Sequence, residues 1–143
     1  MGHSFFKAAH KYGLFVSWII ACIATIGSLA FSEIREVAPC TLCWYQRIAM
    51  FPLALILGIA AFRKEYLIIP YALPLSIIGM LIALFHLLLQ EIPALSAVCT
   101  GGPACNAKSI DFSSLYAVIF SLISFLLINI ILLSLYRHRP KFK

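Results

Sequence analysis

Long uncharged stretches alternate with short polar interruptions along this chain. Tyr12 to Ser32 runs for about 21 residues without a charge, Ile48 to Phe62 for about 15, and Tyr66 to Gln90 and Phe112 to Tyr136 for about 25 each. A helical bilayer crossing needs about 20 apolar residues, so three of these runs suffice as they stand. The second reaches that length only when counted from Cys43, which places Arg47 within the first turns of a spanning helix. The pattern predicts an all-α polytopic membrane protein: a single domain over 1–143, built as a four-transmembrane-helix bundle. The spans are expected at 12–32, 43–62, 66–90 and 112–136, with extracytoplasmic loops at 33–42 and 91–111.

Local signals refine this outline. Ser17, Ala21, Ala24 and Ser28 recur at steps of four, three and four, giving the first helix a small-residue face that another helix can approach closely. Ser28-Leu29-Ala30 loosely resembles a signal-peptidase site, but the run is longer than an export-signal core and three spans follow, so a retained helix is expected. Pro39 lacks an N–H and biases Ala38 to an extended shape, putting Cys40 on the loop and Cys43 at the start of the second helix. Trp44 and Tyr45 suit the lipid–water boundary. Arg63-Lys64-Glu65 is short enough to force adjacent antiparallel helices. Pro70 and Pro74 either kink the third helix or mark its start.

Composition and charge then narrow the function. The chain is 63% hydrophobic and 11% charged, with a mean hydropathy of +1.01, where aqueous domains carry roughly a quarter charged residues. Its net charge of +6 does not form a nucleic-acid patch, because the cations bracket the apolar runs. Lys7, Lys11, Arg63, Lys64, Arg137, Arg139, Lys141 and Lys143 fall on one side; Arg35, Arg47 and Lys108 fall on the other. Basic residues mark the cytosolic side, so both termini are expected there.

The five cysteines comprise two close pairs, Cys40/Cys43 and Cys99/Cys105, and a lone Cys22 expected to pack as a small apolar group. The orientation above puts both pairs on the outer face, where disulfides persist. Gly101, Gly102 and Pro103 favour a turn between Cys99 and Cys105 that a short-range disulfide could use. Arg47 lies four residues beyond Cys43, on one helical face with it. It either snorkels to lipid phosphates or partners a thiolate or ligand. His86 and Gln90, spaced i, i+4, lie near the same end. Three chemistries compete for the four outer thiols. A four-thiolate zinc site is disfavoured by a disulfide-permissive compartment, so no metal is expected. Two structural staples need no arginine nearby, and so short a loop gains little from closure. An electron relay uses both pairs: dithiols on one surface exchange disulfides by thiolate attack and pass electrons from a soluble thiol partner to a lipid-soluble acceptor, for which a quinone is the obvious candidate.

Pro39-Cys40-Thr41-Leu42-Cys43-Trp44-Tyr45-Gln46-Arg47 closely resembles the signature of the bacterial DsbB/BdbC disulfide-bond formation proteins. The four spans, the motif at the start of the second and the cysteine pair before the fourth extend the resemblance over essentially the whole chain. It is nearest the short BdbC-type branch, whose second pair is also closely spaced and preceded by a segment like His86 to Gln90. The resemblance implies a quinone-dependent protein-disulfide oxidoreductase of the bacterial cell membrane, with cysteine loops facing outside. It implies that Cys99 forms the mixed disulfide with a DsbA/BdbD-like thioredoxin-fold partner and that Cys105, its mate, exchanges with Cys40. Cys43 then lies against the quinone (menaquinone or ubiquinone) and forms a charge-transfer pair with it as thiolate. Arg47 supports quinone and thiolate, and His86 is a weaker carry-over as quinone hydrogen-bond donor. DsbB proper separates its second pair by a much longer loop, which leaves the order of attack between Cys99 and Cys105 open. The competing functions are a vitamin-K-epoxide-reductase-like quinone reductase, whose cysteine pairs stand in the reverse order, a small four-span transporter, and a membrane protein with structural disulfides.

Overall fold

The computed structural model describes residues 2–35, 41–92 and 112–137. Among these, four helices form the fold: α1 Gly2–Arg35, α2 Thr41–Arg63, α3 Ile69–Glu91 and α4 Phe112–Arg137. Segments long and apolar enough to cross a bilayer run through all four, Tyr12–Ile34, Thr41–Arg63, Tyr66–Glu91 and Leu115–Arg137, the third starting in the 3-10 turn before α3. The expected all-α, four-span architecture is the observed one. α1 starts well before its apolar run, because nothing in the basic lead breaks a helix.

The helices close a ring in chain order, each packed on its sequence neighbours and α4 returning to α1. Long apolar side chains cover the outside, as lipid demands, and Phe125, Leu53, Leu57, Ile69, Ile128 and Leu132 fill the interior. The small-residue face of α1 is buried as its spacing requires: Ser17, Ala21 and Ala24 lie inside the bundle. Small residues elsewhere admit large partners. Trp18 Nε1 sits 2.8 Å from where a Cβ on Gly58 would stand, and the Phe125 ring occupies the space beside Gly79. Trp18 then meets Phe62 edge-on at 5.2 Å.

The connection between α2 and α3 is five residues long and turns the chain tightly. Lys64 adopts φ 56°, and Glu65 N–H donates to Ala60 C=O at 3.1 Å, closing the end of α2. That is the 6→1 bond of a left-handed helix cap. A 3-10 turn at Tyr66–Ile68 follows, and α3 begins with Pro70 in its first turn, where a missing N–H costs nothing. Pro70 therefore marks the helix start, whereas Pro74 lies inside α3 and Pro52 inside α2.

Contacts along the ring fix which helix ends meet. Gln46 near the start of α2 touches His86 near the end of α3. Arg47 touches Ser28 near the end of α1. Gly13 near the start of α1 packs on Leu135 near the end of α4, and Gly27 meets Phe120. The end of α1, the start of α2, the end of α3 and the start of α4 thus share one end of the bundle.

Candidate functional site

That shared end carries a group of buried polar side chains in an otherwise apolar bundle. α2 begins at Thr41, so Cys43 stands in its first turn, half-buried. Gln46 and Arg47 follow three and four residues later, on the same helical face. Both are 8% exposed, and His86 is 4% exposed. Cys40, Cys99 and Cys105 lie outside the described residues, as do the rest of 36–40 and 93–111. Both of these segments connect helix ends at the site end of the bundle.

Gln46 and Arg47 reach in opposite directions, and each ties α2 to a different neighbour. Gln46 Nε2 lies 3.2 Å from His86 Nδ1 on α3. With the amide donating, the imidazole carries its proton on Nε2. Arg47 turns to α1. Its Nε donates to Ser28 Oγ at 3.0 Å, and its Nη2 donates to Ser28 C=O at 2.9 Å and to Ser32 Oγ. Ser32 Oγ also donates to Ser28 C=O at 3.4 Å. The guanidinium carbon stands 5.6 Å from the Trp44 ring centroid, within cation–π reach.

A buried cation is expensive unless hydrogen-bonded and paired. Here the hydrogen bonds come from hydroxyls and a backbone carbonyl. Among the described residues, Arg63–Glu65 is the one ion pair, and no carboxylate reaches Arg47. The guanidinium is tucked against the end of α1 by these bonds rather than exposed on the outside of the bundle. Trp44 and Tyr45 are both exposed in the first turns of α2. Cys22 is partly buried along α1, away from these groups.

The arrangement suits a flat, polar-edged ligand with carbonyl oxygens. It offers a hydrogen-bonded imidazole, a cation with no carboxylate partner among the described residues and an indole face, on helix faces near a first-turn cysteine. Among the described residues no three His, Cys, Asp or Glu side chains gather as metal ligands. The sequence singled out Cys43, Arg47 and His86 but not Gln46 or Ser32, and it counted Ser28 for its small size and its place in a signal-peptidase-like triplet, not for its hydroxyl. Their signal was present: each is a polar group on a helix that otherwise faces lipid or core.

The family model described as disulfide bond formation protein DsbB matches residues 10–135. Disulfide bond formation protein C of Bacillus subtilis is 47% identical over 120 residues, covering 82% of this chain and 87% of that protein. A probable disulfide formation protein of Chlamydia trachomatis is 44% identical over 102 residues, covering 71% and 76%. One from Coxiella burnetii is 38% identical over 119 residues, covering 83% and 78%. No solved structure matches the chain. A match over nearly the full length, joined to four membrane-spanning helices, makes this chain a multi-pass membrane protein of the DsbB disulfide-bond formation family.

Proposed function

We propose that the protein oxidises a DsbA/BdbD-like thioredoxin-fold partner and passes the electrons to membrane quinone, so sustaining disulfide formation in exported proteins. The observation that carries this reading is the buried Gln46–His86 and Arg47 constellation beside Cys43. Passive staples would not call for buried polar groups there. The names of the relatives, which refer to disulfide formation, support it.

The proposed protein is a single membrane domain, with spans at 12–32, 43–62, 66–90 and 112–136. Its loops 33–42 and 91–111 face outside the bacterial cell membrane. The eight-to-three distribution of basic residues supports that orientation, with both termini cytosolic. A partner thiolate attacks Cys99 of a Cys99–Cys105 disulfide and releases Cys105 as thiolate. Cys105 attacks Cys40 of the Cys40–Cys43 disulfide and releases Cys43 as thiolate. The partner's second thiolate then displaces Cys99, leaving the partner oxidised. Cys99 attacks Cys105, which restores the outer disulfide and frees Cys40.

Quinone, menaquinone or ubiquinone, supplies a two-electron, two-proton acceptor when bound. The Cys40/Cys43 dithiol gives up those electrons and protons and recloses. One partner dithiol thus becomes a disulfide for each quinol formed. Arg47 stabilises the Cys43 thiolate and a ligand oxygen by a charge that no carboxylate among the described residues pairs. His86, holding its proton on Nε2, donates to a carbonyl.

The test mixes purified protein, a reduced thioredoxin-fold partner and a short-chain quinone, and follows quinone absorbance. Partner-dependent loss of the quinone band is expected. An unchanged band with a soluble, reduced partner overturns the reading.

A further inference from the structure

We propose that Ser28 and Ser32 of α1 are positioning residues for the redox site: they hold Arg47 as a fixed cation whose charge stays available to the ligand. This rests on the quinone reading above. The argument starts from how the guanidinium is bonded. Nε and Nη2 are committed to Ser28 Oγ, Ser28 C=O and Ser32 Oγ, while Nη1 makes no hydrogen bond among the described residues. Two of the three nitrogens are used to fix the group, and one edge is left over.

The choice of acceptor matters as much as the number of bonds. A carboxylate on α1 would hold the fork more tightly but would cancel its charge. Hydroxyl and carbonyl dipoles solvate the cation in an apolar setting while leaving the full positive charge. A residue whose task was only to clamp α1 to α2 would be better served by an acid. Neutral acceptors, at 8% exposure of Arg47, suit a cation kept for an anionic or carbonyl ligand.

α1 contributes neither a motif cysteine nor the histidine. The hydrogen bonds described between it and the site come from these two serines, one turn apart. Because the first helix is the partner that aims Arg47, a shift of α1 relative to α2 would alter ligand binding without touching any cysteine.

The test uses full-length protein in lipid nanodiscs with short-chain ubiquinone as probe. Binding is read by quenching of tryptophan fluorescence, since Trp44 stands beside Arg47 and Trp18 is the second of two tryptophans. Quinone KM, kcat and thermal midpoint are measured alongside. Losing hydrogen bonds to a charged group weakens binding by about tenfold or more. The double variant S28A/S32A is expected to weaken both Kd and KM by that factor with kcat within about threefold, and S28T/S32T to restore both by returning the hydroxyls.

Ser32→Asp separates positioning from clamping, and decides the matter if the alanine variant fails to fold. Its carboxylate keeps the thermal midpoint, or raises it, by pairing with Arg47, yet binding falls by about tenfold or more as the charge is neutralised. Wild-type binding in S28A/S32A, or in Ser32→Asp, overturns the positioning role. A wild-type protein that neither binds nor reduces the quinone overturns the quinone reading itself, and this inference with it.

Discussion

The two ends of the bundle are held together by different forces. Where α2 begins, hydrogen bonds join three helices: Gln46 to His86 on α3, and Arg47 to Ser28 and Ser32 on α1. Towards the other end and through the middle, shape does the joining. Leu135 fits against Gly13, Trp18 against Gly58, and Phe125 against Gly79. Hydrogen bonding in apolar surroundings demands that every partner be present. Knob-and-gap packing demands only volume and tolerates no excess. The first can be tuned for chemistry; the second can only be stable or not. On the proposed function, one end reacts and the other holds.

The sharpest break of this contrast is Cys43→Ser. On the proposed function, loss of the Cys43 thiolate should lower quinone reduction by about a thousandfold or more, since residues acting as one unit fail together. The thermal midpoint should stay within a few degrees of wild type by calorimetry or nanoscale fluorimetry. Unfolding without lost turnover would instead mark a structural staple. Next in size is Arg47→Lys. A lysine keeps the charge but lacks the planar fork, so it cannot hold Ser28 and Ser32 and still face a ligand. Quinone KM is expected to rise by about tenfold to a hundredfold, measured by initial rates.

Gly79→Ala probes the holding end. The added methyl meets the fully buried Phe125 ring, which must leave its place. Stability should fall by about 1–3 kcal/mol in denaturant titration, with quinone KM unchanged. The smallest effect is expected at Ser76, three residues before Gly79 in the same packed part of α3. Ser76 Oγ is fully buried and has no hydrogen-bond partner among the described residues, whereas Ser17 and Ser124 bond back to their own helices. Ser76→Ala removes that unsatisfied group and should be neutral or stabilising by up to about 1 kcal/mol. Marked destabilisation would show that the hydroxyl does have a partner in the membrane.

Much of the holding end was legible in the sequence. Runs of uncharged residues gave the four helices, and the spacing of Ser17, Ala21 and Ala24 gave the buried face of α1. A short charged link gave the α2–α3 turn. These are one-dimensional signals, since length and period alone decide them. Pro70 was ambiguous because a proline in an apolar run can start a helix or bend it, and only the 3-10 turn before it resolves which.

The reacting end was legible as a list of residues rather than as an arrangement. Cys43, Arg47 and His86 stood out by type and spacing. Their partners did not, because pairing Gln46 with His86 across 40 residues depends on how far each helix is rotated. Ser28 shows the limit plainly. Its size marked a close-packing face, yet its hydroxyl and carbonyl serve Arg47, and no period along α1 reveals that. Cys40, Cys99 and Cys105 remain sequence readings, joined to helix ends that lie at the site end.

The central claim is that all four motif sulfurs leave the bundle at one end and that this end faces out of the cell. A membrane-impermeant maleimide, applied to intact cells after gentle reduction, tests it directly, with each single-cysteine variant read by mass shift. The account predicts labelling of Cys40, Cys99 and Cys105 in sealed cells, slower labelling of half-buried Cys43, and none of Cys22. Labelling of the motif cysteines only after the membrane is opened would contradict it.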